Sequence, residues 1–341
     1  MSINTALSDG IMLISEHHMR LLALLADGQF HSGTELAGVL AVSRTAIWKH
    51  LQAMADCGVE VVAVTGKGYK LQTPLQLLDR EEIVAHLDER TGALINRMEI
   101  HAVIHSTNAH LSEIARTTHV SGQVCLAEYQ TAGKGRRGRN WVSPFGHNIY
   151  LSILWRYSEG PAAIAGLSLA IGVAVIRALR RAGVDEVGLK WPNDVYWNGR
   201  KLAGILIEVS GEAGGPCHAV IGLGLNIHLP QRQAEAIEQA WVDLQQILGF
   251  QALQLRNRLA AGLLNEMMPI VADFDSLTLA NYLDEWRTYD CMQGRAVTMF
   301  IGGQRVDGTV KGIDDRGLLL LEEADGRIRA YASGEVSYRA S

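Results

Sequence analysis

The sequence predicts an α+β protein in three parts: a winged helix-turn-helix, a central mixed-sheet domain and a small C-terminal β-barrel. Three observations carry this reading. Helical periodicity with two tight breaks fills residues 16–58, strands and helices mix from about 80 to 285, and short alternating strands with Gly and Asp turns occupy 290–341. The boundaries so drawn are an N-terminal extension at 1–15, the winged unit at 16–75, the central domain at 80–285 and the barrel at 290–341.

In the first part, Met19, Leu22, Leu25 and Ala26 recur at helical spacing until Asp27-Gly28 stops the pattern. A short helix over Gly33–Leu40 follows, and Ser43 is placed to cap a third helix, Arg44–Asp56. The β-branched run Val59–Val64, the basic turn Gly66-Lys67-Gly68 and Tyr69–Leu71 form the wing. Arg44, Thr45, Lys49 and His50 on the third helix suit base edges and phosphates in a major groove, with Ser43 at its start and Lys67 on the wing within reach of the backbone. The plainer alternative is a helical interaction module with a solvated face. The net charge is −5, so nucleic-acid affinity has to come from this local surface.

Pro74 marks the connector, after which Ile100–Ile104, Val124–Tyr129, Ile149–Trp155, Leu202–Val209 and Ala219–Ile227 read as strands and Ala163–Arg181 as a helix. The apolar run Pro161–Ile176 is shorter than the roughly 20 residues a membrane helix needs and reads as a buried helix. With no basic, apolar and small-residue leader pattern, the expected location is the cytoplasm, with no membrane partner. The last strands are expected at Ala296–Phe300, Arg305–Val310, Gly317–Leu321 and Ile328–Tyr331.

Cys57, Cys125, Cys217 and Cys291 form no C-x-x-C pair, and His101 and His105, four apart on a strand, would stand about 13 Å apart. No metal site is expected from these spacings, and no G-x-S-x-G elbow indicates covalent catalysis.

The chemistry concentrates in a few clusters. Gly133-Lys134-Gly135-Arg136-Arg137-Gly138-Arg139 packs three glycines and four cations into seven positions, which suits an anion held by backbone N–H groups and charge, or else a flexible basic loop. Its order and spacing are not those of a Walker-type phosphate loop. Lys190-Trp191-Pro192-Asn193-Asp194 sets Lys190 and Asp194 around a proline turn, and Lys201 enters an apolar strand in Arg200-Lys201-Leu202-Ala203-Gly204-Ile205. Such a lysine calls for a carboxylate, phosphate or ligand, although an ordinary ion pair also satisfies it. Gly222-Leu223-Gly224-Leu225-Asn226 suggests close backbone approach to a ligand, and Ser106-Thr107-Asn108 ends a strand either as a polar cluster or as a helix cap.

In this order these motifs resemble the biotin protein ligases, and with the winged helix ahead and the barrel behind, the chain from about Glu16 resembles the bifunctional ligase and biotin operon repressor of bacteria. The resemblance implies a ligase that joins biotin and ATP into biotinyl-5′-adenylate, with Mg2+, and passes biotin to a lysine of biotin carboxyl carrier protein. It implies a biotin site of Ser106, Thr107, Asn108, Gln130, Gly133, Lys134, Gly135, Arg136, Lys201, Gly204, Gly222 and Gly224. Adenylate contacts would come from Arg136, Arg137, Arg139, Lys190, Asn226 and Trp241, with Arg136, Lys201, Lys190 and Asp194 as the catalytic set. It further implies an adenylate-dependent homodimer on operator DNA, with 211–216 near the dimer edge. Two departures stand out: Lys134 where the family often has arginine, and Pro230-Gln231-Arg232 where the family has an apolar flap. The readings weighed against this one are a lipoate or octanoate ligase on the same scaffold and a non-catalytic, ligand-sensing transcription regulator.

Overall fold

The computed structural model describes residues 15–55, 57–212 and 214–338. The expected extension at 1–15 lies outside them apart from Ser15, which caps the first helix in a reciprocal box with His18. Helices α1 (Glu16–Leu25), α2 (Gly33–Leu40) and α3 (Arg44–Ala55) enclose Leu21, Leu25, Leu36, Ile47 and Leu51. Ser32 caps α2 and the Ser43 hydroxyl accepts the Ala46 amide at 3.1 Å, as the sequence predicts. Strands β1 (Val61–Val64) and β2 (Gly68–Leu71) form the wing. Leu75 of the connector and Phe145 of the central domain complete this core, and the Phe145 amide donates to the Cys57 carbonyl at 2.9 Å. The winged unit therefore sits on the central domain across a shared apolar contact.

The central domain opens with α4 (Arg80–Ala85) and α5 (Glu89–Leu94), then β3 (Arg97–Ile104), α6 (Thr107–Ile114), β4 (Gln123–Gln130), β5 (Ile149–Tyr157) and α7 (Leu167–Arg181). It continues through β6 (Val187–Lys190), β7 (Asp194–Trp197), β8 (Arg200–Gly211), β9 (Cys217–Leu225), α8 (Gln231–Ala234), α9 (Leu244–Leu248), α10 (Arg256–Leu277) and α11 (Leu283–Tyr289). The sheet order is β3-β4-β5-β9-β8-β7-β6, with β3 and β4 parallel and the other neighbours antiparallel. Alternation along the strands sorts the faces: Val124, Leu126, Ile153 and Ile221 share a core with α7 and α10, while Cys125, Leu154 and Val220 meet Leu111 and Ala115 around α6. The apolar helix is buried against α10 as expected, but it starts at Leu167 rather than Ala163, because Gly166 stands at φ 84° and ends a 3-10 turn. Strands β6 and β7 escape the sequence reading because each has only four residues and Trp191-Pro192-Asn193 separates them.

The last part comprises β10 (Ala296–Ile301), β11 (Gln304–Ile313), β12 (Leu319–Glu323), β13 (Ile328–Tyr331) and β14 (Glu335–Tyr338), the last also unpredicted. They pair antiparallel in the order β13-β12-β11-β10-β14. Where the sequence predicts a closed barrel, the hydrogen-bonded ladder among the described residues ends at β13 and β14. Val297, Met299, Val310 and Leu321 join the main core, and the Trp191 indole donates to the Gly317 carbonyl at 3.0 Å.

Two buried polar features join these parts. Arg256 of α10 pairs with Glu128 of β4, their side chains 1% and 2% exposed. Arg256 also donates to the Asn148 and Gln76 carbonyls at 2.9 and 3.0 Å, and Glu128 accepts the Leu78 amide at 2.6 Å. Replacing Arg256 with Met strands a buried carboxylate and should cost about 3–5 kcal/mol in chemical denaturation, whereas adding Glu128→Gln should recover much of that loss. Equal stability of the single and double variants would refute the coupling.

His147 lies against His228, ring centroids 4.9 Å apart, in the seam beside Gly58 and Leu75. Burial, then the neighbouring His228 and Arg256, lower its pKa to about 3. A neutral imidazole in the folded state stabilises the protein fully above the unfolded value of about 6.5. That contribution is lost progressively as the pH falls from there toward 3. Protection factors at residues 57–60, which remove the intrinsic pH dependence of amide exchange, should fall over this range, and His147→Gln should flatten the acid dependence; parent protection factors independent of pH from 6.5 to 4 would exclude the assignment.

Candidate active site

The site forms where α6, the 133–141 loop, the β6–β7 turn, strands β8 and β9 and the start of β14 converge on one cavity. Ser106, Thr107, Asn108, Gln130, Lys134, Gly135, Arg136, Arg137, Arg139, Lys190, Asp194, Lys201, Gly204, Gly222 and Gly224 all line it, so most of the expected site residues come together. Gly133, Asn226 and Trp241 are not among the lining residues. A Cβ on Gly133 would lie 2.6 Å from the Trp141 carbonyl, so this glycine serves the closure of the loop. The Asn226 amide donates to the Val242 carbonyl at 3.2 Å, and Trp241 bridges to Lys201 through backbone, so both secure the segment beneath Lys201 rather than face the cavity.

At one end, Ser106 is the N-cap of α6, which is the simpler of its two sequence readings. Gln130 Oε1 accepts the Thr107 amide and hydroxyl at 2.9 and 3.2 Å, while Gln130 Nε2 donates to Ser143 at 3.2 Å. The Ser152 hydroxyl stands 2.8 Å from Thr107 Oγ1 and 2.6 Å from Asn108 Oδ1. Asn108 also donates to Glu208 at 2.9 Å. The result is a buried polar network with directed donors and acceptors, suited to a small ligand rich in amide-like groups. Ser152 escaped the sequence reading because it is a single small polar residue inside the apolar run Ile149–Trp155.

The glycines of β9 have specific neighbours. A Cβ on Gly222 would stand 2.1 Å from Asn108 Oδ1, and one on Gly224 would stand 2.4 Å from the Trp141 ring. These strand glycines admit two side chains of the site, a role the sequence reading assigned to a ligand. Trp141 also lies against Lys201, whose Nζ is 5.6 Å from the ring centroid, and its buried Nε1 has no hydrogen-bond partner. The sequence signal for Trp141 was only its place directly after the basic loop.

Charge is arranged at the other end. Lys201 Nζ is 2.9 Å from Asp194 Oδ1, both side chains largely buried, in a close ion pair whose angle falls outside hydrogen-bond geometry. The expected neighbours Lys190 and Asp194 are register partners across the β6–β7 turn, but the Lys190 ammonium donates to the Tyr196 hydroxyl at 3.0 Å. Burial lowers the Lys190 pKa, with Asp194 acting against the shift and Lys201 with it. Arg136 donates to Asn193 Oδ1 at 3.0 Å, and desolvation lowers its pKa from the usual arginine range. Arg137, at φ 57°, and Arg139 pair with Glu335 of β14 at the cavity wall, and Arg137 also reaches the Phe300 carbonyl at 3.4 Å. Lys134 is half exposed, 4.0 Å from Glu208. The Pro230-Gln231-Arg232 departure starts α8, whose Gln233 packs near Gly58 of the winged unit.

On α3, Ser43, Arg44, Thr45 and Lys49 are exposed, as is Lys67 on the wing. His50 is instead drawn toward α1, its Nδ1 2.9 Å from His18 Nε2. Trp48, exposed beside them and stacked on Tyr69 at 6.1 Å, extends the surface in a way the charge pattern did not reveal.

Residues 100–226 match the biotin/lipoate A/B protein ligase family, 17–70 an HTH domain and 293–339 the biotin protein ligase C-terminal domain. The bifunctional ligase/repressor BirA of Escherichia coli is 44% identical, covering 95% of this chain and 97% of that protein. BirA of Bacillus subtilis is 30% identical over 90% of this chain and 94% of its own. A biotin protein ligase from Aquifex aeolicus, solved in complex with biotin and ATP, superposes with a TM-score of 0.59 at 25% identity, covering 72% of this chain and all of that one. With its N-terminal helix-turn-helix, its ligase core and its C-terminal module, this chain belongs to the bifunctional ligase/repressor branch of the biotin protein ligase family.

Proposed function

We propose that the chain activates biotin with ATP to biotinyl-5′-AMP and pyrophosphate, transfers biotin to a lysine of biotin carboxyl carrier protein, and represses its operator as the adenylate-bound dimer. The observation that carries the catalytic assignment is the largely buried Lys201–Asp194 pair opposite Arg136 in one cavity with the Thr107–Asn108–Gln130 network. A biotin carboxylate oxygen attacks the α-phosphorus and pyrophosphate leaves; the carrier lysine amine then attacks the acyl carbon and AMP leaves. Lys201 and Arg136 draw two anions to one place and stabilise the charge that builds on the phosphate oxygens. Their low-dielectric surroundings strengthen that effect. Lys190, in the same cavity, would help hold the ATP. The donors suit the Mg2+ that resemblance implies, since Asp194 offers hard carboxylate oxygens and ATP supplies the rest; the ion would neutralise phosphate charge.

The dimer reading is supported by a strand edge that β7 leaves unpaired among the described residues. Strand β8 runs to Gly211, yet its pairing with β7 extends only over Arg200–Gly204, and Val209 is exposed. Beyond Ile205 this edge offers backbone groups for a second copy, with 211–216 at the tip of the same hairpin.

ATP-dependent labelling of a carrier domain, with biotin but not lipoate driving pyrophosphate exchange, tests the activity. Lys201→Gln should lower adenylate formation by about 100- to 1,000-fold in protein that remains folded. Arg136→Gly should release the adenylate and spread biotin to nonspecific lysines. Undiminished exchange in the first variant, or undiminished adenylate retention in the second, would remove these roles. Sedimentation at micromolar concentration should show a dimer only with biotin and ATP, lost on Val209→Asp; a monomer under both conditions would count against the repressor assembly.

A further inference from the structure

Behind α6, on the side of the β3–β4 edge, four side chains gather that the ligase reaction does not use. Strand register places Glu99 opposite Cys125, and the two-residue period puts His101 on the same face as Glu99. Helix α6 then brings His110 over them. One donor atom each from His101, His110 and Cys125 lie within 4.8 Å of one another. The two rings are 4.9 Å apart at 68°, and Glu99 Oε2 stands 2.7 Å from His110 Nε2 and 3.5 Å from His101 Nε2. Glu99 Oε1 is held by Arg97 at 2.6 Å, which leaves Oε2 turned toward the histidines. His101 Nε2 is buried and has no partner of hydrogen-bond geometry, the Glu99 contact being too long and poorly aligned to count as one. Cys125 is fully buried.

We propose that His101, His110 and Cys125, with Glu99 as the fourth donor, form a binding site for a borderline-soft divalent cation, best matched by Zn2+. Two imidazoles, a thiolate and a carboxylate are a tetrahedral zinc set, and sulfur with nitrogen disfavours Mg2+ and Ca2+. Ligand bonds of about 2.0–2.3 Å space tetrahedral donors roughly 3.3–3.7 Å apart. The cluster therefore needs to contract by about 1 Å, within the reach of side-chain rotation by two partly exposed histidines. Binding releases the Cys125 proton, which burial and Glu99 otherwise hold on the sulfur. The ion would tie α6 to both parallel strands two residues beyond Asn108. The site is separate from the cavity, so it stands whether or not the chain ligates biotin.

Full-length protein stripped with chelator and titrated with Co2+ is the test. One equivalent should produce a sulfur-to-cobalt charge-transfer band with tetrahedral ligand-field absorption, and Zn2+ should displace it. Cys125→Ser should abolish the charge-transfer band, and His101→Gln with His110→Gln should weaken Zn2+ binding by at least about tenfold. The histidine pair is the decisive variant if the buried serine prevents folding. Absence of the band in the parent, its persistence in Cys125→Ser, or unchanged Zn2+ affinity in the histidine double variant would overturn the site.

Discussion

Arg256 and Glu128 meet where no water reaches them, and the architecture depends on that pair. A buried guanidinium and carboxylate are tolerated only when their remaining hydrogen-bonding capacity is met, and here most of it is met by the Gln76, Leu78 and Asn148 backbone. The pair thus fixes the connector from the winged unit, the end of β4 and the start of α10 at one point. Two residues beyond Glu128 is Gln130, whose side chain orients Thr107 in the cavity. Placement of the polar end of the site is therefore inherited from a charge pair outside it.

The cavity follows a division of labour set by desolvation. At the α6 end, amide and hydroxyl groups satisfy one another and hold fixed directions, at little electrostatic cost. At the β7–β8 end, cations are kept partly dry beside the Asp194 carboxylate, so an incoming anion meets groups already partly stripped of water. Glycine at 222 and 224 brings the two ends close, since any side chain there would collide with Asn108 or Trp141.

Much of this was legible where one stretch of chain holds the whole signal. The loop at 133–139 is readable because glycine and cations coincide within seven positions, and α1–α3 because their caps and apolar spacings are local. What stayed hidden depends on contacts between distant residues. No local spacing indicates that Arg139 pairs with Glu335 or that Asp194 pairs with Lys201. Their spacing along one strand sets His101 and His105 too far apart, whereas the neighbours of His101 are His110 on a helix and Cys125 on the adjacent strand. Strand register, which a single sequence does not specify, brought them together. Asn226, which bonds the Val242 carbonyl, is ambiguous in sequence for a related reason: an asparagine at the end of a strand looks the same whether it binds a ligand or a carbonyl.

Glu335 gives the third part of the chain an unexpected standing. By holding Arg137 and Arg139, it anchors the outer half of the basic loop to the sheet of β10–β14, and Gly334 and Val336 beside it form part of the cavity wall. The C-terminal sheet thus contributes directly to the cavity wall and to the hold on its basic loop. The loop therefore gains this anchor only once β14, far beyond it in sequence, has joined the C-terminal sheet.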